Sequence, residues 1–454
     1  MQNGENQMLK EKLIEMRKKY IGDSCALFYP HDPLYIVKGK GTYLFDENYN
    51  SYLDCINNVA TVGHCHPDVV KASNEQKLLL ETNSRYLHPK IVELAYKLSS
   101  LLPSPLHKFY FLNSGSETTD LALLLSFYHT KATEVIVIDH AYHGHLMSSM
   151  ALSPYKFNRP GGAGKKDWIH IAPCPDTYRG LYNKDTIVKD RNENHASETE
   201  FDYGAAYASE VIRIIDDIHR SGKKLAAFIC ESMISCGGQI ILPPRYLKLI
   251  YEAVRKAGGV CIADEIQAGY GRCGEHFWAF ELQDVVPDIV TIGKPMGNGH
   301  PVAALITTEA ISKHYAQSHI EYFNTYGGNP VSCAVALSVL EVMEKENLMA
   351  NSKKVGNYLM NKLFLLQKRF PNIIGDVRGS GLFIGVELIE DIVTKIPSPS
   401  LAEKIIYKMK ERKVIISREG PDGNILKIKP PLCFSCQDAD MLCRNLTEIL
   451  ENNI

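Results

Sequence analysis

The stretch of sequence that decides the fold is GGVCIADEIQAGYGRCGEHFWAFELQDVVPDIVTIGKPMGNGHP, residues 258–301. It contains two short apolar runs, GGVCIADE (258–265) and DIVTIG (288–293), and each of them leads into polar residues. Short apolar runs that are bounded by glycine and polar residues are typical of buried strands. The stretch therefore predicts two buried strands, each with polar side chains at its carboxyl end.

Four more apolar runs of the same kind occur on both sides of this stretch. Helical patterns separate most of the runs, and continuous apolar strands that alternate with helices indicate a parallel sheet covered on both faces. The sequence thus predicts an α/β protein with a mostly parallel central sheet. The four runs are FYFL (109–112), EVIVID (134–139), LAAFICE (225–231) and VAALIT (302–307).

Charge and composition narrow the classes of partner. The chain has 454 residues, and its 50 Lys and Arg residues nearly balance its 52 Asp and Glu residues, which leaves a net charge of −2. This balance gives no sign of the basic surface that binds nucleic acid or acidic membranes. No run reaches the roughly 18 apolar residues of a membrane span. We therefore expect a small molecule or a second copy of the chain as partner, with no nucleic acid and no membrane.

Twelve cysteines are scattered along the chain from Cys25 to Cys443. This scatter does not indicate a disulfide framework, so we expect reduced thiols in an intracellular protein. Cys433 and Cys436 have C-x-x-C spacing, but no second pair accompanies them, which favours an ordinary strand end. The first twenty residues lack the apolar core of a secretory signal, and their early glutamates are not typical of a mitochondrial transit peptide.

The two ends of the chain predict structure outside the central sheet. Residues 1–25 predict an amphipathic helix, and a hairpin-like pair of strands follows at Leu34–Ile36 and Tyr43–Phe45, with a turn at 46–48. After Val331 a long helical pattern leads to strand-like segments at 375–388 and 425–432, while the polar segment 184–202 predicts a surface excursion. The expected organisation is a large domain, residues 59–330, and a small α+β domain built from residues 1–58 and 331–454.

Polar residues follow the FYFL strand directly. Asn113-Ser114-Gly115-Ser116-Glu117 leads into a helix that we expect to begin near Thr118. Glycine allows the backbone to approach an anion, and amides at a helix N-terminus point outward. The segment predicts a phosphate cup, with a simple capping turn as an equally good alternative.

Three histidines follow the EVIVID strand, in the sequence His140-Ala-Tyr142-His143-Gly144-His145. A zinc site needs more ligands than this, and the H-x-x-H-x-H spacing after a strand places no regular ligand face. We therefore expect no metal here. An aromatic ring at Tyr142 that stacks on a flat ligand is the favoured alternative, followed by a purely structural role.

The ends of the two strands in the opening stretch carry the remaining chemistry. Asp264 ends one strand, with Gln267 just beyond, and a carboxylate there can bind a protonated ring nitrogen or merely cap a helix. Lys294 ends the other strand between Gly293 and Pro295, which suits either a nucleophilic amine or an ordinary loop lysine. Together a phosphate cup, a stacking aromatic, a carboxylate and a lysine are what pyridoxal phosphate requires.

Five motifs resemble those of the class III pyridoxal-phosphate-dependent aminotransferase family. The resemblance extends from about Asp32 to Pro431, and it implies the aspartate-aminotransferase-like fold type I. It also implies a homodimer, or a homotetramer, with active sites at the subunit interface. The motifs are NSGSE (113–117), YHG (142–144), ADEIQAGYGRCG (263–274), TIGKPMGNGHP (291–301) and NTYGGNPVSCAV (324–335).

The resemblance implies a role for each residue that matches a family motif. Lys294 would form the Schiff base with pyridoxal 5'-phosphate, and Asp264 would pair with the pyridinium nitrogen. Gly115 and Ser116 would hold the cofactor phosphate, and Tyr142 would stack on the ring. The other implied cofactor-binding residues are Gln267 near the ring hydroxyl, Glu231 beside the cofactor, and Thr325, which would reach the phosphate from the neighbouring subunit.

Further segments resemble one branch of the family, the phospho-lyases of ethanolamine phosphate and of 5-phosphohydroxy-L-lysine. GKPMGNGHP and NTYGGNP are closer to the ethanolamine-phosphate member. The chain departs from the branch at Thr61, where histidine is usual, and at Thr118 and Thr119. The segments are NNVATVGHCHP (57–67), TNSRYLH (82–88), IDHAYHGHL (138–146), SPYKF (153–157) and PDTYRG (175–180).

Lys427 stands where many class III aminotransferases have an arginine that grips a substrate carboxylate. Lysine lacks the two-pronged fork of arginine, so Lys427 argues against a keto-acid partner and suits an amine substrate without that carboxylate. Thr61 is a further substrate candidate. The cationic candidates for the substrate phosphate are Arg85, Lys156, Arg179 and Lys427.

We therefore expect a lyase that eliminates phosphate from ethanolamine phosphate and releases acetaldehyde, ammonia and phosphate. The alternatives are a 5-phosphohydroxy-L-lysine phospho-lyase and a class III transaminase of the ω-amino or alanine–glyoxylate type. The resemblance implies a mitochondrial protein, whereas the absence of a visible transit peptide favours the cytoplasm.

Overall fold

The structure is a computed structural model, and it describes residues 2–186 and 201–452. Helices and strands alternate through the middle of the chain, as the sequence predicts. The strands are β1 (Ile36–Lys40), β2 (Tyr43–Asp46), β3 (Ser51–Asp54), β4 (Lys108–Leu112), β5 (Glu134–Ile138), β6 (Ile169–Ala172), β7 (Leu225–Glu231), β8 (Val260–Asp264), β9 (Ile289–Ile292), β10 (Ala303–Thr307), β11 (Ile374–Ser380), β12 (Phe383–Leu388), β13 (Val414–Ile415), β14 (Ser417–Glu419) and β15 (Ile425–Ile428).

The helices cover the central sheet and build the two ends of the chain. Those with described bounds are α1 (Gln2–Tyr20), α2 (Pro67–Leu79), α3 (Pro89–Ser99), α4 (Gly115–Thr130), α5 (Met147–Ala151), α6 (Pro154–Phe157), α7 (Tyr203–Arg220), α8 (Tyr246–Lys256), α9 (Glu309–Ala316), α10 (Pro330–Lys345), α11 (Leu348–Arg369), α12 (Pro399–Glu411) and α13 (Cys436–Glu451).

The central sheet has seven strands in the order β4-β10-β9-β8-β7-β5-β6. All six predicted runs form strands of this sheet, which confirms the α/β class of fold type I. The prediction missed β6, a short strand next to β5. It also missed that β10 is antiparallel to both β4 and β9. The reason is the connection 293–302, which contains no helix and is too short for a parallel crossover of a dozen or more residues.

The two faces of the central sheet pack against different helices. Val135 and Val137 of β5 belong to a buried cluster with residues of α4 such as Leu125. Ile136, on the same strand, belongs to a second cluster with α7 and α8, which includes Ile215. Successive strand residues point to opposite faces. The alternation along β5 therefore explains why the strands are apolar throughout and why both faces are covered.

The N-terminal segment differs from its prediction in two ways. The first strand is β1 at Ile36–Lys40 rather than Leu34–Ile36, and the turn at 46–48 leads on to β3 instead of ending the hairpin. The helix α1 forms, but its inward face is mostly polar: Asn6 donates to the carbonyl of Glu47, and Lys10 pairs with Asp32. The predicted amphipathic helix is therefore held by hydrogen bonds and an ion pair more than by apolar burial.

The two chain ends meet outside the central sheet. β13 pairs in parallel with β3, with Val414 opposite Leu53, and completes a sheet of order β1-β2-β3-β13. A third sheet has the order β11-β12-β15-β14. Lys427 lies in its strand β15, and Lys429 follows the end of that strand. The division of the chain at residues 58 and 330 stays a prediction. Of the predicted surface excursion at 184–202, residues 187–200 lie outside the part that the structure describes.

The structure also describes the state of the cysteines and the character of the helices. All twelve cysteines are free thiols, and seven of them are buried. Among the described residues, none of the helices combines the length and the apolar character that a membrane crossing needs.

Candidate active site

A cavity of about 220 Å³ lies at the carboxyl ends of four strands of the central sheet. Ligands of open α/β sheets bind at this edge, because loops and helix N-termini meet there. The cavity collects residues that follow β4, β5, β8 and β9. They are Ser114, Gly115, Ser116, Tyr142, His143, Gly144, Asp264, Ile266, Gln267 and Lys294.

The helix α4 begins at Gly115, three residues earlier than predicted, because Ser114 caps it. The Ser114 hydroxyl accepts a hydrogen bond from the amide of Glu117 at 3.3 Å, and the Glu117 carboxylate accepts one from the amide of Asn113 at 2.8 Å. The first amides of a helix have no partner within the helix. Gly115 and Ser116 therefore present unpaired amides toward the cavity, where they can bind an anion. The capping turn is therefore present, and the phosphate cup stays a prediction for the same residues.

The loop after β5 lies directly against this cup. The amide of His145 donates to the Ser116 hydroxyl at 3.0 Å. Gly144 has a φ of 131°, and a Cβ atom built there would lie only 2.7 Å from the Ser116 hydroxyl oxygen. Only glycine allows this close approach, so Gly144 fixes the distance between the loop and the cup.

The three histidines of this loop do not converge. His143 is buried at the cavity, whereas His140 and His145 are partly or largely exposed. Within residues 2–186 and 201–452, no group of three or more His, Cys, Asp or Glu side chains is arranged to hold a metal ion. The three histidines therefore have separate environments, and only His143 reaches the site.

Asp264 is held by His143, a contact that the sequence did not predict. The Asp264 carboxylate lies 2.7 Å from Nδ1 of His143, and both side chains are buried. Its other oxygen accepts a hydrogen bond from the amide of Ile266 at 3.1 Å. Among the described residues, Nε2 of His143 has no hydrogen-bond partner. The position of His143, next to Tyr142 in the YHG motif, is the only sequence signal that pointed to this contact.

Glu231 lies beside Asp264 on the neighbouring strand, where the two residues are in register. Its carboxylate accepts hydrogen bonds from the amides of Tyr142 at 3.1 Å and Ser235 at 3.0 Å. Burial raises the pKa of Glu231, as does the charge of Asp264, and His143 partly opposes this shift. Glu231 does not line the cavity, so its contact with the site runs through the backbone of Tyr142.

Tyr142 is held at the cavity by two neighbours. Its ring meets the ring of Tyr155 edge-on, with 5.8 Å between the centroids. The Nζ atom of Lys156 lies 5.5 Å from the Tyr142 ring centroid. Burial raises the pKa of the Tyr142 hydroxyl, so the ring stays neutral and presents an aromatic surface. Of the cationic phosphate candidates, Lys156 is the one in contact with a residue that lines the cavity.

Gln267 is fixed by two donors on its side-chain oxygen. Oε1 accepts hydrogen bonds from Nδ2 of Asn58 at 3.1 Å and from Nζ of Lys429 at 2.8 Å. Lys429 is buried and lies beyond the end of β15. The sequence had drawn attention to Lys427 instead. No local signal distinguishes the two lysines, since both lie in the same ILKIKPP segment.

Lys427 is engaged in an ion pair outside the cavity. Its Nζ lies 2.7 Å from the carboxylate of Glu419 on the adjacent strand β14. Burial would raise the pKa of Glu419, but the charges of Lys427 and Lys429 outweigh burial and lower that pKa. The charge of Lys427 is thus compensated by Glu419.

The other predicted substrate residues also lie away from the cavity lining. Thr61 is buried, and its hydroxyl donates to the carbonyl of Asn58 at 3.3 Å. Arg179 pairs with Glu387 at 2.5 Å and lines a separate cavity of about 420 Å³. These two side chains already have protein partners.

Arg85 and Thr325 lie together on an exposed surface. The Arg85 guanidinium lies 3.9 Å from the ring centroid of Phe323, and Arg85 also pairs with Glu321 at 3.2 Å. Thr325, two residues beyond Phe323, is exposed and does not line the cavity of its own chain. The structure therefore brings these two predicted residues near each other and leaves both outside the site of the same chain.

Comparisons with known proteins agree with this geometry. Residues 28–450 match the family model described as aminotransferase class-III. A Drosophila melanogaster protein named alanine–glyoxylate aminotransferase 2-like is 49% identical and covers 98% of this chain and 88% of its own. A Caenorhabditis elegans protein named ethanolamine-phosphate phospho-lyase homolog 1 is 43% identical, and the match covers 94% of this chain and 90% of the relative. Human mitochondrial alanine–glyoxylate aminotransferase 2 is 36% identical, and the match covers 94% of this chain and 84% of the relative.

Two solved structures are similar over nearly the whole chain. A phospholyase from Arthrobacter in complex with phosphoethanolamine has a TM-score of 0.88 and 36% identity, and the match covers 97% of this chain and 100% of the other. An omega transaminase from Pseudomonas jessenii in complex with PMP has a TM-score of 0.85 and 26% identity, and the match covers 96% and 97%. Both a lyase and a transaminase thus share this fold.

Proposed function

The chain belongs to the class III aminotransferase family, and from that premise we propose that it is a phospho-lyase of ethanolamine phosphate. Its cofactor is pyridoxal phosphate, as in the other enzymes of this family. The proposed reaction converts ethanolamine phosphate and water to acetaldehyde, ammonia and inorganic phosphate. The support comes from the donor set of the cavity and from the state of Lys427.

The residues of the cavity fit pyridoxal phosphate. The amides of Gly115 and Ser116 would hold the phosphate, and the flat ring would lie against Tyr142. Asp264 would accept the proton-bearing ring nitrogen, since a carboxylate stabilises a protonated ring through a charge-assisted hydrogen bond. These assignments keep the roles that the family resemblance implies. When bound, the cofactor supplies an aldehyde for primary amines and a protonated ring that withdraws electron density.

Lys294 is the group that we assign to proton transfer. Its amine would hold the cofactor at rest and, once released by the substrate amine, would take a proton from the amine-bearing carbon of the substrate. The electron pair of that C–H bond would form a C=C bond, while the C–O bond to phosphate breaks and phosphate leaves with its electron pair. Water then releases acetaldehyde and ammonia from the two-carbon product.

His143 and Glu231 would act through other groups. His143 at 2.7 Å holds one oxygen of the Asp264 carboxylate, and the amide of Ile266 holds the other. The two contacts together would fix the orientation of the carboxylate at the cavity. Glu231 binds the amide of Tyr142 and so fixes the loop that carries the stacking ring. We therefore class both as positioning residues, which shape the site without touching the substrate.

The observation that carries the lyase proposal is the ion pair between Lys427 and Glu419. A transaminase that uses a keto acid needs a cation for the acceptor's carboxylate, and arginine suits this best because its fork binds both oxygens. Here position 427 has no fork, and its charge is already paired at 2.7 Å. Of the described residues that line the cavity, none is an arginine. This arrangement suits a substrate such as ethanolamine phosphate, which has no carboxylate.

The second candidate is a class III transaminase of the ω-amino or alanine–glyoxylate type. It is favoured by the names of the Drosophila and human relatives. The two candidates differ in their need for an acceptor. A transaminase is inactive until a keto acid is supplied, whereas a lyase turns over without one.

Phosphate release with and without a keto acid distinguishes these candidates. We expect the purified holoenzyme to release phosphate, ammonia and acetaldehyde from ethanolamine phosphate at the same rate whether or not pyruvate or glyoxylate is present. The matched comparison uses 5-phosphohydroxy-L-lysine at the same concentration, which we expect to react more slowly. Strict dependence on the keto acid would refute the lyase proposal, and a preference for phosphohydroxylysine would move it to the other member of the branch.

We also propose a homodimer in which each site is completed by the partner. Thr325 and Arg85 are exposed, and so are the apolar side chains next to them in the sequence, Tyr326, Tyr86 and Leu87. Large exposed apolar patches mark interaction sites. In a dimer, Thr325 of one chain would reach the cofactor phosphate of the other, and Arg85 would lie near the substrate phosphate.

Subunit mixing tests this arrangement. Lys294→Ala and Thr325→Asp are each expected to be inactive, because the first removes the amine and the second repels phosphate. If sites are shared, co-refolded mixtures regain up to about a quarter of the wild-type rate, since a mixed dimer has one intact site. No recovery in a verified mixed dimer would refute the shared site. Light scattering distinguishes a dimer from a tetramer.

For the compartment, we propose the mitochondrion, with the cytoplasm as the alternative. The human relative is mitochondrial by its name. Fractionation of cells that express the full chain with a C-terminal tag tests this, and recovery of the protein in the cytosolic fraction alone would overturn the proposal.

A further inference from the structure

Lys429 is a buried lysine beside the cavity to which the mechanism above gives no role. Only 1% of its surface is exposed. Burial lowers the pKa of its amine, and the charge of Lys427 reinforces this effect. A buried amine is unfavourable unless hydrogen bonds compensate for its lost hydration. The hydrogen bonds of Lys429 must therefore compensate for the hydration that its amine has lost.

The Nζ atom of Lys429 donates two hydrogen bonds. One goes to the Ser235 hydroxyl at 2.6 Å, and the other goes to Oε1 of Gln267 at 2.8 Å. The amine also lies 5.0 Å from the ring centroid of Phe383. The titratable groups whose charges act on it are Lys427, Glu419, Cys236 and Lys294. Of its two acceptors, only Gln267 lines the cavity.

The contact with Lys429 determines which end of the Gln267 amide is free. A side-chain carbonyl oxygen has two lone pairs, and here Asn58 and Lys429 each donate to that oxygen. The oxygen is thereby saturated, and the remaining polar group of Gln267 is its NH₂, which can only donate. A glutamine without these donors could turn its oxygen toward the cavity, where it would repel an acceptor such as a ring hydroxyl.

We propose that Lys429 is a positioning residue that locks the Gln267 amide with its NH₂ toward the cavity, as a donor to the ring hydroxyl of bound pyridoxal phosphate. The proposal rests on the placement of the cofactor proposed above. It separates the two neighbouring lysines by role: Lys427 neutralises Glu419, and Lys429 acts on the cofactor through Gln267. Neither touches the substrate in this assignment.

A double-mutant cycle on the holoenzyme tests the proposal. Lys429→Met keeps an unbranched side chain and removes the amine, and Gln267→Ala removes the amide. We expect each single variant to weaken pyridoxal phosphate binding about tenfold, the effect of one lost hydrogen bond. Each is also expected to move the pH midpoint of the cofactor's visible absorbance. The double variant should be no worse than Gln267→Ala alone, because Lys429 acts only through that residue.

A purely structural role for Lys429 gives a different result. Lys429→Met would then lower the melting temperature while cofactor affinity and the absorbance midpoint stay at wild-type values, and this outcome overturns the proposal. Additive losses of affinity in the double variant overturn it as well. Lys410→Met is the matched control: Lys410 is also a buried lysine, but its Nζ binds Asp32. We expect it to change stability and leave the cofactor spectrum unchanged.

A second variant covers the case in which Lys429→Met does not fold. Lys429→Gln retains an N–H donor in a more polar side chain, and it should keep cofactor affinity closer to wild type than Gln267→Ala does. Affinity as low as that of Gln267→Ala, without a move of the absorbance midpoint, would contradict the proposal. These measurements need no phosphate release, so their outcome is independent of whether the chain is a lyase or a transaminase.

Discussion

Two sheets bring charged residues to the surroundings of Lys294, and they do so in different ways. The central sheet supplies Asp264 and Lys294 at the ends of β8 and β9, and both side chains line the cavity. The C-terminal sheet supplies Lys427 and Glu419 on β15 and β14, and these two side chains pair with each other at 2.7 Å. Parallel strands end at one edge and leave their last residues facing a ligand, whereas antiparallel strands place charged side chains beside one another. In the proposed mechanism the first arrangement supplies the reactive groups, whereas the second neutralises charge.

The largest expected effect is on the central sheet. Lys294→Ala should reduce phosphate release by about 1000-fold or more, because it removes the only amine that we assign to proton transfer. It should also abolish the visible absorbance of the bound cofactor. Lys353→Ala, which breaks an exposed pair with Glu275, is the control and should leave both measurements unchanged. A Lys294→Ala protein that keeps its absorbance band would show that the lysine is misassigned.

Asp264→Asn should reduce phosphate release by about 100-fold, since an amide cannot hold the charge of a protonated ring nitrogen. The neighbouring Glu265 offers a matched control. It is equally buried, but its carboxylate faces the amides of Ala279 and Phe280 rather than the cavity. Glu265→Gln should lower the melting temperature with little change in the rate per folded molecule. Equal rate losses in the two variants would mean that only carboxylate burial, and not contact with the cavity, matters.

Gly144→Ala tests how closely the loop after β5 must approach the phosphate cup. The added methyl group would lie 2.7 Å from the Ser116 hydroxyl oxygen, so we expect cofactor affinity to fall about tenfold. Gly258→Ala is the control, because its φ of 83° is also positive but open space surrounds it. Both variants carry some backbone strain, because each places an alanine at a positive φ. If the two variants bound pyridoxal phosphate with equal affinity, this would argue against a phosphate cup at Gly115 and Ser116.

The smallest expected effect is on the C-terminal sheet. Lys427→Arg restores the fork that transaminases use, but Glu419 remains to pair with it. We expect phosphate release within about threefold of wild type and no new turnover that depends on pyruvate. If Lys427→Arg created such turnover, the ion pair with Glu419 would not be what keeps the side chain at position 427 from binding a keto acid. Assays of phosphate and of pyruvate consumption on the same preparation provide the answer.

The central-sheet half of the site could be predicted from local sequence. Asp264, Lys294 and the Gly115–Ser116 turn each follow an apolar run, and strand ends of parallel sheets converge regardless of what the helices between them contain. The same reasoning failed for β10, whose direction depends on the short connection before it. Local sequence also predicted an amphipathic helix for α1, whereas the inward side of α1 is held largely by polar contacts.

What the sequence determined by itself is therefore the class of fold and the identity of the residues at the carboxyl edge of the central sheet. The apolar runs and their polar ends are short-range patterns, and hydrophobic burial acts on them directly.

Only the tertiary structure decided which of these residues are held and by what. His143 and Asp264 are 121 residues apart, and Lys429 and Gln267 are 162 residues apart. Lys427 and Lys429 would share one face of a continuous strand, but β15 ends at Ile428, and the amide of Lys429 donates to the carbonyl of Cys55 instead. The packing of the C-terminal sheet against the rest of the chain therefore determines the contacts of each lysine, because a hydrogen bond forms only where distant segments place donor and acceptor within about 3 Å.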